Sequence, residues 1–388
     1  MVDIKSYIVN RIIDWSKMEM IFENNFRVSF LTWNIYQGFD VAPLFDPSLT
    51  PAQVPIIVTQ IFRQFLATNF PVRAKAIAKA IVSEKPDLIG LQEAVRVELI
   101  IPTFGTVTYD FVEILLEELK EQGLNYAVAA RNNDAEAEFP DSNGNLVHFL
   151  ETDTILIRKN HKLGVISQKA NFRTNLTIPI AGQPFTLLQG WTSILETDAI
   201  LTRKKHRLDV IRRQEANFQT NLTIPIAGQP FTILRGWSSI DVKIHGKVFR
   251  MVNTRLDPTA ENIRNAQANE ILQGPANTCL PVVITGDLNA PPNSSTINLI
   301  IEAGFEDVWD KVGKGPGLTH EQNPDLLNAI SMLTERFDYI FFKNGWEPIK
   351  AELHGELQND RTKTGLWPSD HATVSASLHL ENHHDLNS

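Results

Sequence analysis

The sequence predicts an α+β protein in which β-sheets pack together beneath a cover of helices. Three observations carry that expectation. Short apolar runs end abruptly in polar residues, as strands do. Stretches with apolar residues at helical spacing lie between them, and packed sheets covered by helices satisfy both patterns. A β-rich segment also occurs twice in tandem.

The elements follow in chain order. Residues 1–25 form an N-terminal extension in which Ile8, Ile12, Ile13 and Trp15 recur at roughly helical spacing. Residues 28–33 read as a strand running into Asn34, and residues 88–91 as one running into Gln92 and Glu93. Between them, residues 73–82 place Ala74, Ile77, Ala78 and Ile81 on one helical face. Residues 110–122 carry a stripe of Phe111, Leu115 and Leu119 and stop at Gly123, a natural helix C-terminal residue. Residues 241–249 predict a hairpin strand turning at His245 and Gly246, and residues 249–252 run into Asn253. A helix is expected over 259–273, closed by Gly274 and Pro275, and a strand over 281–285 leads to Gly286 and Asp287. Residues 40–69 and 131–149 are expected to be long connections lining a cleft. Residues 381–388 form a polar tail.

The chain has 388 residues, 43% of them hydrophobic and 21% charged, enough apolar content for a substantial core and too much for wholesale disorder. Its net charge of −9 argues against a passive nucleic-acid coat, which needs a cationic surplus. An enzyme meeting phosphate only at a metal-loaded cleft is not excluded, because there the ion supplies the positive charge. A single cysteine, Cys279, rules out an intramolecular disulfide and a cysteine-rich zinc site, and is expected to be a buried apolar filler. No run is long and apolar enough for a membrane span, and residues 1–25 lack the unbroken apolar segment of a secretory signal. The expected location is cytoplasmic, or secreted if a leader was removed before this numbering begins.

The repeat has two copies, 151–194 and 196–240. Glu151-Thr-Asp-Thr-Ile-Leu-Ile-Arg-Lys159 returns as Glu196-Thr-Asp-Ala-Ile-Leu-Thr-Arg-Lys204. The run from Ala170 to Phe185 returns from Ala216 to Phe231 with Gln219 in place of Arg173. Two copies are too few for a solenoid, so a duplication inside one domain is expected. One copy should fill a sheet position and the other lengthen a sheet or project as an extra β element. Trp191 and Trp237 are expected to pack in the core. The basic residues 203–207, with Arg212 and Arg213, are expected on a solvated strand edge, where lysines oppose aggregation.

The polar strand ends supply hard oxygen donors suited to Mg²⁺, Mn²⁺ or Ca²⁺, namely Asn34, Glu93, Asp287, Asn289 and Asp370. His371 follows Asp370 directly and precedes an alternating strand at 373–378, a candidate general base or transition-state donor. His320 is expected to be a loop histidine at the surface. Each signal is weak alone, and their order is what carries weight. Leu31-Thr-Trp-Asn-Ile35, Pro86-Asp-Leu-Ile-Gly-Leu-Gln-Glu93, Val252-Asn-Thr-Arg-Leu256, Ile284-Thr-Gly-Asp-Leu-Asn289, Arg336-Phe-Asp-Tyr-Ile340 and Pro368-Ser-Asp-His-Ala372 resemble, in order, the six motifs of the endonuclease/exonuclease/phosphatase superfamily.

That resemblance spans residues 31–372 and implies a DNase I-like four-layer α/β/β/α sandwich over residues 26–380 with a cleft at one end. It implies phosphoester hydrolysis with no covalent intermediate. Glu93, Asn34 and Asp370 are implied at the metal; His371 held by Asp338, with Asp287 and Asn289, at the chemistry; and Asn289, Arg255 and Asn253 at the substrate phosphate. Arg255 departs from the pattern, which usually has histidine there. Arginine is a fixed cation with a planar fork suited to phosphate and cannot shuttle a proton, so it either binds phosphate or marks altered chemistry. A phosphodiesterase or nuclease is the first expectation, with a phosphodiester such as nucleic acid as partner. A phosphatase or phospholipase-like hydrolase of inositol phosphates or lipid headgroups is the second, and a non-catalytic binding protein the third. The oligomeric state is not read from the sequence.

Overall fold

The computed structural model describes residues 26–159, 175–180, 183–188 and 208–381. The N-terminal extension, the polar tail beyond residue 381, Trp191 and the basic residues 203–207 lie outside the described residues.

The elements run β1 (Arg27–Asn34), α1 (Val54–Ala67), α2 (Phe70–Glu84), β2 (Leu88–Gln92), β3 (Arg96–Ile101), β4 (Gly105–Asp110), α3 (Phe111–Glu121), β5 (Tyr126–Pro140) and β6 (Leu146–Arg158). There follow β7 (Asn175–Ile180), β8 (Gln183–Leu188), β9 (Asp209–Asn217), β10 (Leu222–Ile226), β11 (Gln229–Ile233), β12 (Gly236–Ile244) and β13 (Lys247–Arg255). The chain continues through α4 (Glu261–Gln273), β14 (Val282–Asp287), α5 (Ser295–Glu302), β15 (Glu306–Asp307), α6 (Val308–Val312), β16 (Asp338–Lys343), β17 (Trp346–His354) and β18 (Thr373–Leu380).

Two large sheets result. One is ordered β17-β18-β1-β2-β6-β3-β4, with β5 also pairing β6; the other is ordered β15-β16-β14-β13-β12-β9. Strand alternation separates the layers. On β1, Val28 and Phe30 enter the core between the sheets with Phe249, Met251 and Val283, whereas Leu31 and Trp33 face the opposite core with Phe70, Ile77 and Leu115 from the helices. On β14, Val283 faces the sheets' shared core, while Val282 and Ile284 pack with Ala268 and Ile271 of α4. The outcome is the expected α/β/β/α sandwich.

Some expectations need correction. Residues 40–69 are not merely a connection, since α1 occupies nearly half of them; α1 buries Val58, Phe62 and Phe65. Residues 131–149 are mostly the paired strands β5 and β6. Their charged and amide residues hid the alternation. Cys279 is exposed, because it sits in the turn before β14 and not on the strand itself. The hairpin at His245 and Gly246 forms as expected, both residues taking positive φ (46° and 91°) as a two-residue turn requires.

One copy was expected to fill a sheet position and the other to lengthen a sheet or project as an extra β element; both contribute strands to the large sheets. The first copy supplies most of β6, and the second supplies β9, the β10–β11 hairpin and the first half of β12. The first copy's β7–β8 hairpin pairs Leu176 with Leu187 and Ile180 with Gln183, the same register as Leu222 with Ile233 and Ile226 with Gln229 in the second. It forms a two-stranded sheet of its own. Arg212 and Arg213 stand exposed on β9, the edge strand of the second sheet.

Candidate active site

Strand direction brings the motif residues together. β1 and β2 are parallel, so Asn34 and Gln92 end side by side, with Glu93 next in chain. β13 and β14 are parallel and pair Arg255 with Asp287. β16 and β18 run the other way, so Asp338 at the start of β16 faces Asp287, and His371 precedes the start of β18. All of these groups therefore meet at one end of the sandwich.

Asn34 is fully buried and donates from Nδ2 to Glu93 Oε1 and to Asp287 Oδ2, both at 3.0 Å, while its Oδ1 accepts from the Tyr36 backbone N–H. It was expected to offer oxygen to a metal. The atom facing the carboxylates is the amide nitrogen, so Asn34 holds the two carboxylates side by side. Glu93 Oε2 accepts from the Gln37 N–H at 2.7 Å. Asn289 donates from its side chain to Asp287 Oδ2 (3.2 Å) and to the Leu256 carbonyl, and from its backbone to Asp287 Oδ1. Tyr36, Glu93 and Asn289 all adopt positive φ, 57°, 53° and 48°. Such backbone costs energy and clusters where surrounding structure over-determines it.

Asn253, expected at the phosphate, does not reach it. Its Oδ1 accepts from Gln92 Nε2 (2.7 Å) and Thr285 Oγ1 (3.1 Å), and its Nδ2 donates to the Leu91 carbonyl. It is wholly buried between the sheets and ties them together. Gly90 permits this approach, since a Cβ there would lie 2.1 Å from Asn253 Oδ1.

His371 Nδ1 lies 2.7 Å from Asp338 Oδ2, and its carbonyl accepts from Trp33 Nε1. Burial pulls the imidazole's pKa down, but Asp338, Asp370 and Asp287 outweigh it and raise it to about 10. The ring is then cationic at neutral pH, with Nδ1–H spent on Asp338 and Nε2–H left to donate. Asp287 is held below the usual range; burial opposes this, and His371 and Arg255 more than compensate. Asp370 is pushed up to about 7 by burial and by Glu93, against the pull of His371 and two arginines. His320, expected on the surface, belongs here: its ring centroid is 4.5 Å from that of His371, and burial with the neighbouring imidazole lowers it to about 4. A short antiparallel bridge from His320 to His371 places it, a long-range pairing that no local pattern signals.

Arg255 does not present a free fork to phosphate. NH2 meets Glu93 Oε1 at 2.5 Å, NH1 meets Glu151 Oε1 at 2.5 Å, and Nε lies 3.4 Å from Asp287 Oδ2. Glu151, which the sequence did not single out, also holds Arg235 at 2.5 Å. A second missed residue, Arg73, is completely buried and binds four backbone carbonyls around the site.

The donor set suits a hard divalent ion. Glu93 and Asp287 are joined through Asn34, ligand atoms of Asp287, Asp338 and His371 lie within 4.8 Å of one another, and so do those of His320, Asp370 and His371. Asp338 Oδ1 is buried with no hydrogen-bond donor, and burial raises its carboxyl despite His371, a sign of surplus negative charge. Asp287 and Asp370 each belong to one of these convergent groups, and Glu93 joins Asp287 through Asn34, so these three carboxylates would be the candidate oxygen donors to such an ion.

These geometries gather carboxylates, amides and imidazoles at one end of a four-layer sandwich. The sequence profile of the Endonuclease/Exonuclease/phosphatase family matches residues 189–371. No curated protein matches the chain. Solved structures do. An endonuclease/exonuclease/phosphatase family protein from Bacteroides thetaiotaomicron is 15% identical, with 92% of this chain and 98% of that chain covered and a TM-score of 0.51. Its counterpart from Bacteroides vulgatus is 16% identical over 92% and 99%, with a TM-score of 0.50. A family protein from Leptotrichia buccalis is 14% identical over 91% and 99%, with a TM-score of 0.51. At such identities the likeness is one of fold. The chain has the DNase I-like fold of the endonuclease/exonuclease/phosphatase superfamily and matches its profile, as the six motifs predicted. Among the described residues no helix is long and apolar enough to cross a membrane.

Proposed function

We propose that the protein is a divalent-metal-dependent phosphoester hydrolase acting on phosphodiesters. The observation that carries this reading is the convergence of Asp338, His371 and Asp287 beside Glu93 at one end of the sandwich. Asp287, ionised and held by Asn34 and Asn289, accepts a proton from the attacking water. His371, kept cationic by Asp338, donates Nε2–H to a phosphate oxygen as charge builds there. Glu93, Asp287 and Asp370 would hold a divalent ion, which would supply positive charge at the phosphate. Hydrolysis of bis-p-nitrophenyl phosphate and of plasmid DNA with Mg²⁺ or Mn²⁺ tests the reading. His371→Ala should lower the rate by roughly 10²–10⁴-fold. A variant as active as the wild type would sink the mechanism.

One observation favours a second reading, a phosphoester bearing an apolar group. A cavity of about 190 Å³ adjoins Arg255 and Glu151 and is lined by Phe39, Phe62, Phe65, Phe149 and Phe231. Such a wall offers few partners to the polar edges of a nucleobase but shelters a hydrocarbon chain or aromatic ring.

A further inference from the structure

Arg255 stands at the end of β13 in a cage of carboxylates. Glu93 follows β2 and Glu151 lies on β6 in one sheet, while Asp287 ends β14 in the other, and all three close on its guanidinium. Oxygens gathered in this way from separate strand ends are what a hard cation requires. Here an arginine of this chain already holds an oxygen of Glu93.

The cage continues into a recess. Glu151 and Asp153 are two apart on β6 and so project from the same face. Asn132 of β5 pairs with Asp153, and Asp134 lies in the register break of β5 between Asn133 and Glu136. Asp134 Oδ1 accepts from Asn132 Nδ2 at 2.5 Å. Asp134 Oδ2 and both oxygens of Asp153 are buried, and among the described residues none of the three accepts a hydrogen bond. Asp153 is completely buried; burial, Asp134 and Glu151 push its carboxyl well up, and Arg255 and Arg235 oppose them. In its charged form this group lacks a donor and is costly, and a cation that came nearer than Arg255 now does would favour that form.

We propose that Arg255 is the resident cation of this centre, that it competes with the divalent ion for Glu93 and Asp287, and that Asp153 with Asp134 forms the seat to which its guanidinium turns when the ion binds. The proposal rests on the metal-centre reading above. It gives Arg255 a task that neither phosphate binding nor decay describes, since the arginine keeps the carboxylates neutralised and sets how much metal is needed to load the site.

The test is Mn²⁺ binding to the full chain, read as free Mn²⁺ by electron paramagnetic resonance. Arg255→Met and Arg255→His should bind Mn²⁺ about tenfold tighter than the wild type, since displacement of a close charge pair is no longer needed. Glu93→Gln should lose binding. Asp153→Asn should weaken binding several-fold in the wild type and leave it unchanged in the Arg255→Met background. Equal or weaker binding by Arg255→Met and Arg255→His overturns the competition and leaves the metal centre standing. An equal effect of Asp153→Asn in both backgrounds overturns the seat. No Mn²⁺ bound by the wild type or by Arg255→His removes the metal-centre reading, and the proposal with it. Should the Arg255 variants not fold, the guanidinium ¹⁵N resonances of Arg255 in the wild type decide the matter. They should shift as Mg²⁺ saturates the site, and unmoved resonances overturn the proposal.

Discussion

Replacing Arg73 with methionine should cost both stability and rate. The side chain rises from α2 into the apolar layer, and its guanidinium packs 5.0 Å from the Phe70 ring centroid. Among the described residues it makes no salt bridge, although Asp370 and Glu93 lie near enough to act on it. Nε donates to the Thr68 carbonyl (2.9 Å), NH1 to Ile35 (2.8 Å) and Pro368 (2.9 Å), and NH2 to Tyr36 (3.0 Å). Ile35 and Tyr36 follow Asn34, and Pro368 precedes Ser369, Asp370 and His371. One cation thus tethers both chain segments that carry the site. Methionine fills similar volume but leaves four carbonyls short of a donor, at about 1–3 kcal/mol each where they stay buried. Burial lowers the guanidinium's pKa to about 10, so the variant recovers about 3 kcal/mol by no longer burying a charge there. The net loss should therefore lie between about 1 and 9 kcal/mol, depending on how many of the four carbonyls stay out of reach of water. Where the variant is folded, turnover should fall by roughly 10–10²-fold, since a misplacement near 1 Å at the reacting groups has that effect. Urea denaturation and initial rates on bis-p-nitrophenyl phosphate measure the two. Wild-type stability would refute the carbonyl-clamp argument, and normal turnover with reduced stability would refute the tether.

Three more outcomes follow from the same geometry. Deleting residues 160–204 joins β6 of the first copy to the segment entering β9, and should leave activity intact with the melting temperature changed by less than about 4 °C; loss of folding would show that the duplicated stretch is needed by the core. Burial raises the Asp307 carboxyl to about 6 despite Arg336 at 3.2 Å. The folded state therefore binds that proton more tightly than the unfolded chain, so wild-type stability should fall between pH 4 and pH 6, and Asp307→Asn should gain about 1–3 kcal/mol relative to it across that window; parallel denaturation curves would contradict this. Phe149→Asp, on the wall of the apolar cavity, should lower kcat/KM for a phosphodiester with a long alkyl group by at least about tenfold and leave bis-p-nitrophenyl phosphate within about threefold. An equal loss on both would remove the cavity from substrate choice.

Much of this centre is legible along the chain because strands announce their ends. Apolar alternation stops where a strand leaves the core, so Asn34, Glu93 and Asp287 stand out at the points where β1, β2 and β14 emerge. Capping is equally local: Asp110 Oδ1 accepts from the N–H groups of Val112 and Glu113, and α3 starts there. The misses have a common cause. Charged alternation disguised β5 and the start of β6 as a connection, and with them Asp134, while Glu151 and Asp153 stood in the repeat with no signal tying them to the site. Arg73 looked like one more polar residue on an amphipathic helix, because its carbonyl partners are distant in sequence or have no side-chain signature.

What the sequence determined by itself was the set of strand ends, the helix faces and the residue types able to bind an ion or hold a phosphate, because these depend on period and composition within a few residues. Tertiary structure alone decided which of those groups face one another. Asn253 matches a motif and became a tie between sheets, since Gly90 and Thr285 close over it. His320 joined the site through one bridge to His371. Arg255 was free to reach phosphate until Glu93 and Glu151, 162 and 104 residues away in the chain, arrived within 2.5 Å of it. Electrostatic energy depends on distance in space, and only the packed sheets set that distance.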